Sequence, residues 1–264
     1  WIVIASVRGY LMTGKQSYLD VAKSNFDMMY ERAAVLPHDM LIWNASENPY
    51  GTNSCINGPA GVAACYLAIA TGDESYYEKA RKTYGAQREY LYKPSTGQVY
   101  DSFTWQKGVP SNYNTWASTY NQGTFLGTAV MLYNHYGDEQ YKEDAQMIMK
   151  YTREQMCNEF GVIKVCQGVV DDQGKLVGDL PGFKGILMRY VRRFMVDLYQ
   201  PDCAEWMAIN AFQAYNNRNS DGVSCTAWLT KTVEEYTTYV PFTNYNKDPF
   251  GPSTAVSAAF NSYI

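Results

Sequence analysis

Carboxylate side chains are the residues in this sequence best suited to acid–base chemistry. Asp171 and Asp172 form the one Asp–Asp pair, but Gln-Gly-Lys follows them, which favours a turn in a solvated loop. Asp101 follows a Val-Tyr dipeptide and precedes Phe103 and Trp105, so it is a candidate for lining a cleft or acting as a catalytic acid. Paired carboxylates are the usual catalytic device of glycoside hydrolysis.

A polar and aromatic cluster, Thr119-Tyr120-Asn121-Gln122-Gly123, precedes an almost wholly apolar segment at 124–133. Amide groups hydrogen-bond to sugar hydroxyls, and aromatic faces stack on sugar rings. The chain has 24 Tyr and 6 Trp, most of which we expect to fill helix interfaces. The cluster therefore predicts a sugar or polyol site at the mouth of a buried helix. Helix capping is the alternative for Asn57 and Asn121.

Several other classes of function lack their signals. The chain contains no Gly-x-Ser-x-Gly, phosphate-binding loop or dinucleotide fingerprint, and its two His are isolated at 38 and 135. Six scattered Cys without a Cys-x-x-Cys pair argue against zinc. The net charge of −4 gives no reason to expect nucleic acid, and we find no membrane-length apolar run. We expect neither a cofactor nor a metal.

Apolar and half-polar helical segments alternate along the chain. Residues 1–12 are apolar nearly all round, which predicts a helix buried on most sides, whereas 16–30 has one apolar stripe. Gly14, Gly72 and Gly137 mark turns spaced by 58 and 65 residues, which indicates a repeat with left-handed C-caps. The expected helices are 1–12, 16–30, 60–70, 74–92, 122–136, 139–157, 183–199, 203–217 and 253–263, the last with Ser253 as its N-cap.

Four helix pairs and one terminal helix predict an all-α fold, an (α/α)6 toroid of which about nine helices are present. The alternative is an open superhelical solenoid. The chain opens at Trp1 inside an apolar segment, so we expect a single catalytic domain, 1–264, that lacks its first helices. Long connections are expected to carry function on the face where the inner helices begin; they are 31–58, 93–118, 158–182 and 218–252.

Five phrases in chain order resemble glycoside hydrolase family 76, which comprises bacterial endo-α-1,6-mannanases and related fungal cell-wall transglycosidase-like proteins. They are the 119–123 cluster, the recurring Gly-(Asp/Lys)-x-x-Tyr turn, Val99-Tyr100-Asp101, Asn53-Ser54-Cys55-Ile56-Asn57-Gly58 and Gly182-Phe183-Lys184-Gly185-Ile186-Leu187-Met188-Arg189-Tyr190. The resemblance runs from residue 1 to about 262 and is of the bacterial type. It implies an (α/α)6 barrel.

The resemblance also implies a catalytic pair of consecutive aspartates a few residues before Trp1, so we expect none in this chain and do not assign that role to Asp171 and Asp172. A retaining pair needs carboxyl groups roughly 5 Å apart. The expected substrate-binding residues, which join residues of these phrases with the aromatic candidates Trp105 and Trp116, are Asn57, Asp101, Trp105, Trp116, Tyr120, Asn121, Gln122 and Lys184. Lys184 either reaches into the cleft or pairs with an acid such as Asp179.

The expected function is endo-acting, retaining cleavage of α-1,6-mannosidic bonds in mannan. A transglycosidase of the fungal cell-wall type and a non-catalytic carbohydrate-binding protein on the same scaffold remain alternatives. The expected partner is α-mannan or a manno-oligosaccharide, bound by a monomer with no transmembrane segment. We expect an extracytoplasmic protein, periplasmic, cell-surface or secreted, on the ground of substrate class alone.

Overall fold

The computed structural model describes residues 1–164, 180–232, 234 and 250–262. Asp171, Asp172 and Asp179 lie outside the described residues. The α-helices in this part of the chain are α1 Ile2–Thr13, α2 Gln16–Ala33, α3 Ser54–Thr71, α4 Glu74–Leu91, α5 Thr119–Tyr136, α6 Glu139–Gln155, α7 Phe183–Asp197, α8 Asp202–Asn216 and α9 Phe250–Ser262. They follow the order of apolar and amphipathic segments predicted from the sequence.

The predicted glycine turns are confirmed. Gly14, Gly72 and Gly137 all have φ near 70°, the left-handed conformation that costs a glycine little. Each donates its backbone N–H to the carbonyl four residues earlier and so closes the end of α1, α3 or α5. The next helix of the pair then begins within two residues.

The helices form two compact units. One unit comprises Trp1–Ala117 with Thr124–Ile148, and the other comprises Ser118–Gly123 with Met149–Ile264. We call them the first and the second unit and describe each by itself.

Helix α3 is the central helix of the first unit. It is long and apolar enough to cross a membrane, but 67% of its most apolar window is buried inside the protein, as is typical of a core helix. Close packing against α5 depends on two glycines of α3. A Cβ on Gly61 would lie 2.7 Å from the Thr128 methyl group, and the Thr128 hydroxyl donates to the Gly58 carbonyl at 3.2 Å.

Helix α1 differs from the prediction of burial on most sides. Val3, Ile4 and Val7 are buried, where α1 packs against α2 and α3. Ile2, Leu11 and Met12 are exposed, Met12 by 82%. A helix that is apolar around most of its circumference, such as α1, is therefore not buried on every side.

Short strands occupy the connections before α3 and α5, and the sequence analysis did not predict them. β1 Tyr50–Asn53, β4 Ser102–Gln106 and β5 Val109–Asn114 form an antiparallel sheet in the order β1-β4-β5, while β2 Tyr92–Lys93 pairs with β3 Gln98–Val99. One sheet face carries Phe103, whose ring joins a core cluster with Leu36, Met40, Ile42, Ala86 and Leu91. That core anchors the sheet to α4.

In the second unit, α9 packs against both α7 and α8. The close approach of α7 and α9 requires Gly185, since a Cβ there would lie 3.1 Å from Ser257 and from the Thr254 backbone. Helix α9 begins at Phe250, so the prediction that Ser253 is its N-cap is wrong. Ser253 lies inside the first turn because the helix starts before the serine, in a Phe-Gly-Pro segment that tolerates helix initiation.

Candidate functional site

Asp101 joins three pieces of the first unit. Its carbonyl accepts the Ser54 N–H at 2.7 Å, at the start of α3. Its carboxylate Oδ2 accepts the Ser102 hydroxyl at 3.1 Å and the Asn114 amide at 3.2 Å. The side chain is half-buried, which leaves part of it open to a ligand. Asp101 is therefore placed by the sheet and by the mouth of α3 together.

Trp116 and Trp105 have different environments. The backbone N–H of Trp116 donates to Asn114 Oδ1, and Asn114 Nδ2 donates to Asp101. One asparagine therefore links the two predicted binding residues. Trp116 is half-buried. Trp105 packs against the core cluster and meets Tyr90 edge-on, with ring centroids 5.6 Å apart. Sequence reasoning missed Asn114. The signal that could have found it is an Asn at the end of a strand whose partner strand follows the candidate carboxylate.

Asn57 is wholly buried, one turn into α3. Its Oδ1 accepts the Leu41 N–H at 3.0 Å, and its Nδ2 donates to the Thr52 hydroxyl and to the Asn53 carbonyl. These bonds tie the connection before α3 to the helix mouth. A sugar hydroxyl could bond to the Asn57 amide only by replacing one of these hydrogen bonds. The predicted sugar contact of Asn57 stays a prediction.

The cluster at 119–123 forms the first turn of α5, in the second unit. The Ser118 hydroxyl caps the helix by accepting the Asn121 N–H at 3.0 Å, which satisfies one of the free donors at a helix start. Tyr120, Asn121 and Gln122 are all buried. The Tyr120 ring packs on Phe183, at the start of α7, with centroids 4.9 Å apart. Their predicted binding of sugar is not tested by this arrangement.

Lys184 is buried in the first turn of α7. Its Nζ donates to the Ile163 carbonyl at 3.0 Å and to the Thr226 carbonyl at 2.8 Å, and it lies 4.7 Å from the centre of the Trp228 ring. A buried ammonium needs such oxygen and aromatic neighbours to replace water. Lys184 thus joins two connections, and its predicted contact with substrate stays a prediction.

Asn210 of α8 supports the same region and was missed by sequence reasoning. Its Oδ1 accepts the Ile163 N–H at 2.9 Å, and its Nδ2 donates to the Gly161 carbonyl at 3.0 Å. The neighbouring Cys157 thiol has its pKa raised to about 11, because burial disfavours the thiolate. Among the described residues, no group of three or more His, Cys, Asp or Glu is placed to hold a metal ion.

Two of the three comparisons with known proteins find relatives. The model of glycosyl hydrolase family 76 matches residues 1–247. The chain belongs to glycosyl hydrolase family 76. Family membership confirms the predicted enzyme class, a glycoside hydrolase, and the all-α fold of the α/α toroid type. A comparison with curated protein sequences finds no match.

Solved structures of family 76 proteins superpose on this chain over nearly its whole length. An α-1,6-mannanase of Salegentibacter sp. HEL1_6, in an inactive variant with two consecutive aspartates replaced by alanine and in complex with α-1,6-mannotetrose, is 25% identical. That match covers 97% of this chain and 73% of the other, with a TM-score of 0.79.

Two further structures share the fold. The family 76 mannosidase Bt3792 of Bacteroides thetaiotaomicron is 17% identical, with 99% of this chain and 69% of the other covered at a TM-score of 0.73. Dfg5 of Chaetomium thermophilum, in complex with glucosamine, is 20% identical, with 93% and 60% covered at a TM-score of 0.71.

Proposed function

We propose that this family 76 protein cleaves internal α-1,6-mannosidic linkages of mannan with retention of configuration. The observation that carries the proposal is the match to the Salegentibacter α-1,6-mannanase, whose chain holds α-1,6-mannotetrose and aligns with 97% of the present chain. The half-buried Asp101 and Trp116 supply the acceptor and aromatic groups that a sugar chain needs.

Retaining hydrolysis needs a nucleophilic carboxylate and a carboxylic acid about 5 Å apart, because one attacks the anomeric carbon while the other protonates the leaving oxygen. The inactive Salegentibacter variant lacks two consecutive aspartates, which supports an Asp–Asp pair as the catalytic device. We infer that the pair of the present protein is encoded just before Trp1. Asp171 and Asp172 have no part in this proposal.

The proposed substrate-binding residues fall into two sets. Asp101, Trp105, Trp116 and Asn57 belong to the first unit, and Tyr120, Asn121, Gln122 and Lys184 belong to the second. Asp101 and Trp116 are open enough to touch a sugar directly. Asn57 and Lys184 contribute in this proposal by holding helix mouths and connections in place, through the hydrogen bonds described above.

Digestion of linear α-1,6-mannan by the full-length protein tests the proposal. We expect short oligosaccharides whose newly formed reducing ends are α-anomers, detected by proton NMR before mutarotation. Replacing the aspartates before Trp1 with asparagine should abolish release, whereas Asp171→Asn with Asp172→Asn should leave it intact. Release of β-anomers would contradict retention, and release of mannose alone would contradict internal cleavage.

A transglycosidase is the second candidate, since the Chaetomium Dfg5 structure shares the fold. Adding an excess of a labelled mannotriose acceptor separates the two activities. Label found mainly in longer chains would favour transfer, and label left in mannotriose while mannan shortens would favour hydrolysis. Binding without either reaction would favour a carbohydrate-binding protein.

The proposal extends to where the protein acts and to its oligomeric state. A polymeric mannan is met outside the cytoplasm, so we infer a bacterial, extracytoplasmic protein that acts as a monomer. Fractionation of the source cells with an antibody to the protein, together with light scattering of the purified chain, tests both statements. Recovery in the cytoplasm, or a stable dimer, would overturn them.

A further inference from the structure

The three-stranded sheet of the first unit has a second face that no predicted role explains. We call it the polar sheet face, and it is made by Gly51, Asn53, Ser102, Thr104, Ser111 and Asn114. The pairing of Gly51 with Thr104, and of Thr104 with Ser111, places them in one row across all three strands. Side chains alternate across a strand, so this row points away from Phe103 and the core.

An exposed tryptophan stands at one end of that row. The backbone N–H of Trp43 donates to the Gly51 carbonyl at 2.7 Å, and this bond holds Trp43 beside β1. Ile42, its neighbour, is buried in the core cluster, while Trp43 is 56% exposed. In the part of the chain that the structure describes, the Trp43 ring packs against no other aromatic ring. Its indole face is thus available to a flat ligand.

A half-buried carboxylate lies next to it. Glu47 Oε2 is 3.1 Å from the position that a Cβ on Gly51 would take, so the missing side chain of Gly51 makes room for this carboxylate over the sheet. Within the described residues, Glu47 forms no ion pair or side-chain hydrogen bond. The Thr104 hydroxyl, one strand further along the row, also makes none. Both groups can therefore bond to a ligand without breaking a protein contact.

The row continues toward Asp101. The Ser111 hydroxyl donates to the Thr104 carbonyl at 3.1 Å, and Asn114 donates to Asp101 from the far end of the face. A one-residue irregularity between Ser102 and Thr104 bends β5 here, and such bulges often re-aim side chains near binding sites. Neighbouring strands lie about 4.8 Å apart, so the row spans roughly 10 Å from Gly51 to Ser111.

We propose that the polar sheet face binds a stretch of the mannan chain, with Trp43 stacking on one sugar ring and Glu47 and Thr104 bonding to hydroxyls. The chemistry fits an uncharged polyol, because one exposed aromatic face adjoins an acceptor and hydroxyls that can both donate and accept. The identity of the ligand rests on the proposed function. The availability of the three side chains rests on the structure alone.

Calorimetric titration with α-1,6-mannotetraose and with linear mannan tests this inference, in a parent protein whose aspartates before Trp1 are replaced by asparagine so that the ligand is not cleaved. Trp43→Ala should weaken binding of mannan about fivefold, as expected for loss of one aromatic contact. Glu47→Gln and Gly51→Ala should weaken it less, the latter because a methyl group displaces the Glu47 carboxylate. Phe212→Ala removes an equally exposed aromatic ring from α8 and is the matched control, with unchanged affinity.

The outcomes separate the two proposals. If the parent protein binds no mannan, the proposed function fails. If the parent protein binds mannan and Trp43→Ala binds it equally well, the polar sheet face is not a binding surface and the proposed function stands. We expect all four variants to melt at the same temperature as the parent, because the changed side chains are exposed or pack against flexible neighbours.

Discussion

Among the residues that the structure describes, each unit buries one charged side chain, and the two charges are stabilised in different ways. In the first unit, the Asp144 carboxylate accepts from the Tyr84 hydroxyl at 2.7 Å and pairs with Arg88 at 2.6 Å. In the second unit, the Lys184 ammonium bonds to two backbone carbonyls and lies over Trp228. One charge is neutralised by an opposite charge, and the other is solvated by peptide dipoles and an aromatic ring.

The difference follows from what each charge holds together. Asp144 joins α6 to α4, two regular helices whose interior backbone N–H groups are already bonded within the helix, so the donors available to the carboxylate are side chains. Lys184 joins two irregular connections, whose carbonyls at Ile163 and Thr226 lack a helix partner. A buried anion therefore stabilises helix packing here, and a buried cation stabilises connection geometry. Substitutions should reveal that distinction.

Asp144→Ala should have the largest effect. It leaves the partly buried Arg88 guanidinium and the buried Tyr84 hydroxyl without their acceptor, so we expect a loss of about 3 kcal/mol in the free energy of unfolding. Urea denaturation followed by circular dichroism measures it. Glu139→Ala removes the exposed partner of Lys142 and should leave the stability nearly unchanged, because water and salt screen an exposed ion pair. Equal losses for both variants would contradict the central role of Asp144.

Gly97→Ala should have the second largest effect on stability. It disturbs packing against α6, the helix that carries Asp144, without removing a charged group. Gly97 has φ of +80°, and a Cβ there would overlap the Met147 carbonyl of α6. Strain and overlap together should cost about 2 kcal/mol. Gly108→Ala has φ of +79° and open space around the added methyl, so only about 1 kcal/mol is expected. The difference in urea midpoint between the two variants isolates the packing term.

Lys184→Met should cost about 2 kcal/mol, because two buried carbonyls lose their donor while the Trp228 contact is kept. The effect should be local. Hydrogen exchange measured by mass spectrometry should accelerate in 157–164 and 224–228, and the helices should keep their protection. Lys150→Met on the exposed face of α6 is the control. Unchanged exchange in both connections would show that Lys184 does not hold them.

Thiol reactivity should show the smallest effect and sharpen the view of the second unit. Burial raises the pKa of Cys157 to about 11, so roughly one thiol in a thousand is ionised at pH 8. Cys157 should be alkylated far more slowly than the half-buried Cys55, as mass spectrometry of peptides can measure. Comparable rates for the two thiols in the native protein would contradict the packing of this region.

The raised pKa of Cys157 also predicts how stability depends on pH. The pKa is higher in the folded protein than in the unfolded chain, so the contribution of Cys157 to the free energy of unfolding is complete below about pH 9. The contribution is lost as the pH rises from about 9 through 11. Burial raises the pKa of Cys203 to about 11 as well, and its contribution disappears over the same range.

Helix positions were predictable because they depend on local signals. Apolar periodicity and the left-handed glycines placed most helix ends within three residues of their observed positions. The start of α3 was missed because Asn53 caps the helix seven residues before the apolar run that marked it. The sheet was missed although Ser-Phe-Thr-Trp-Gln alternates with period two and Lys107-Gly108 offers a turn.

The candidate site was less accessible to sequence reasoning, because burial depends on distant partners. Spacing placed Asn57 and Lys184 correctly at helix mouths. It could not reveal that Leu41 donates to one, or that Thr226, 42 residues away, accepts from the other. Trp43 shows the converse case, since its exposure is decided by the strand beside it and by the burial of Ile42.

The contact between α3 and α5 has a consequence for engineering. Gly58 and Gly61 face Thr124 and Thr128 so closely that a methyl group on either glycine collides with its threonine. These four positions therefore form a coupled set, in which single changes fail although compensated pairs can succeed. A combinatorial library that varies both helices should recover Gly61→Ala together with a smaller residue in place of Thr128, while a library of single substitutions should return only the native glycines.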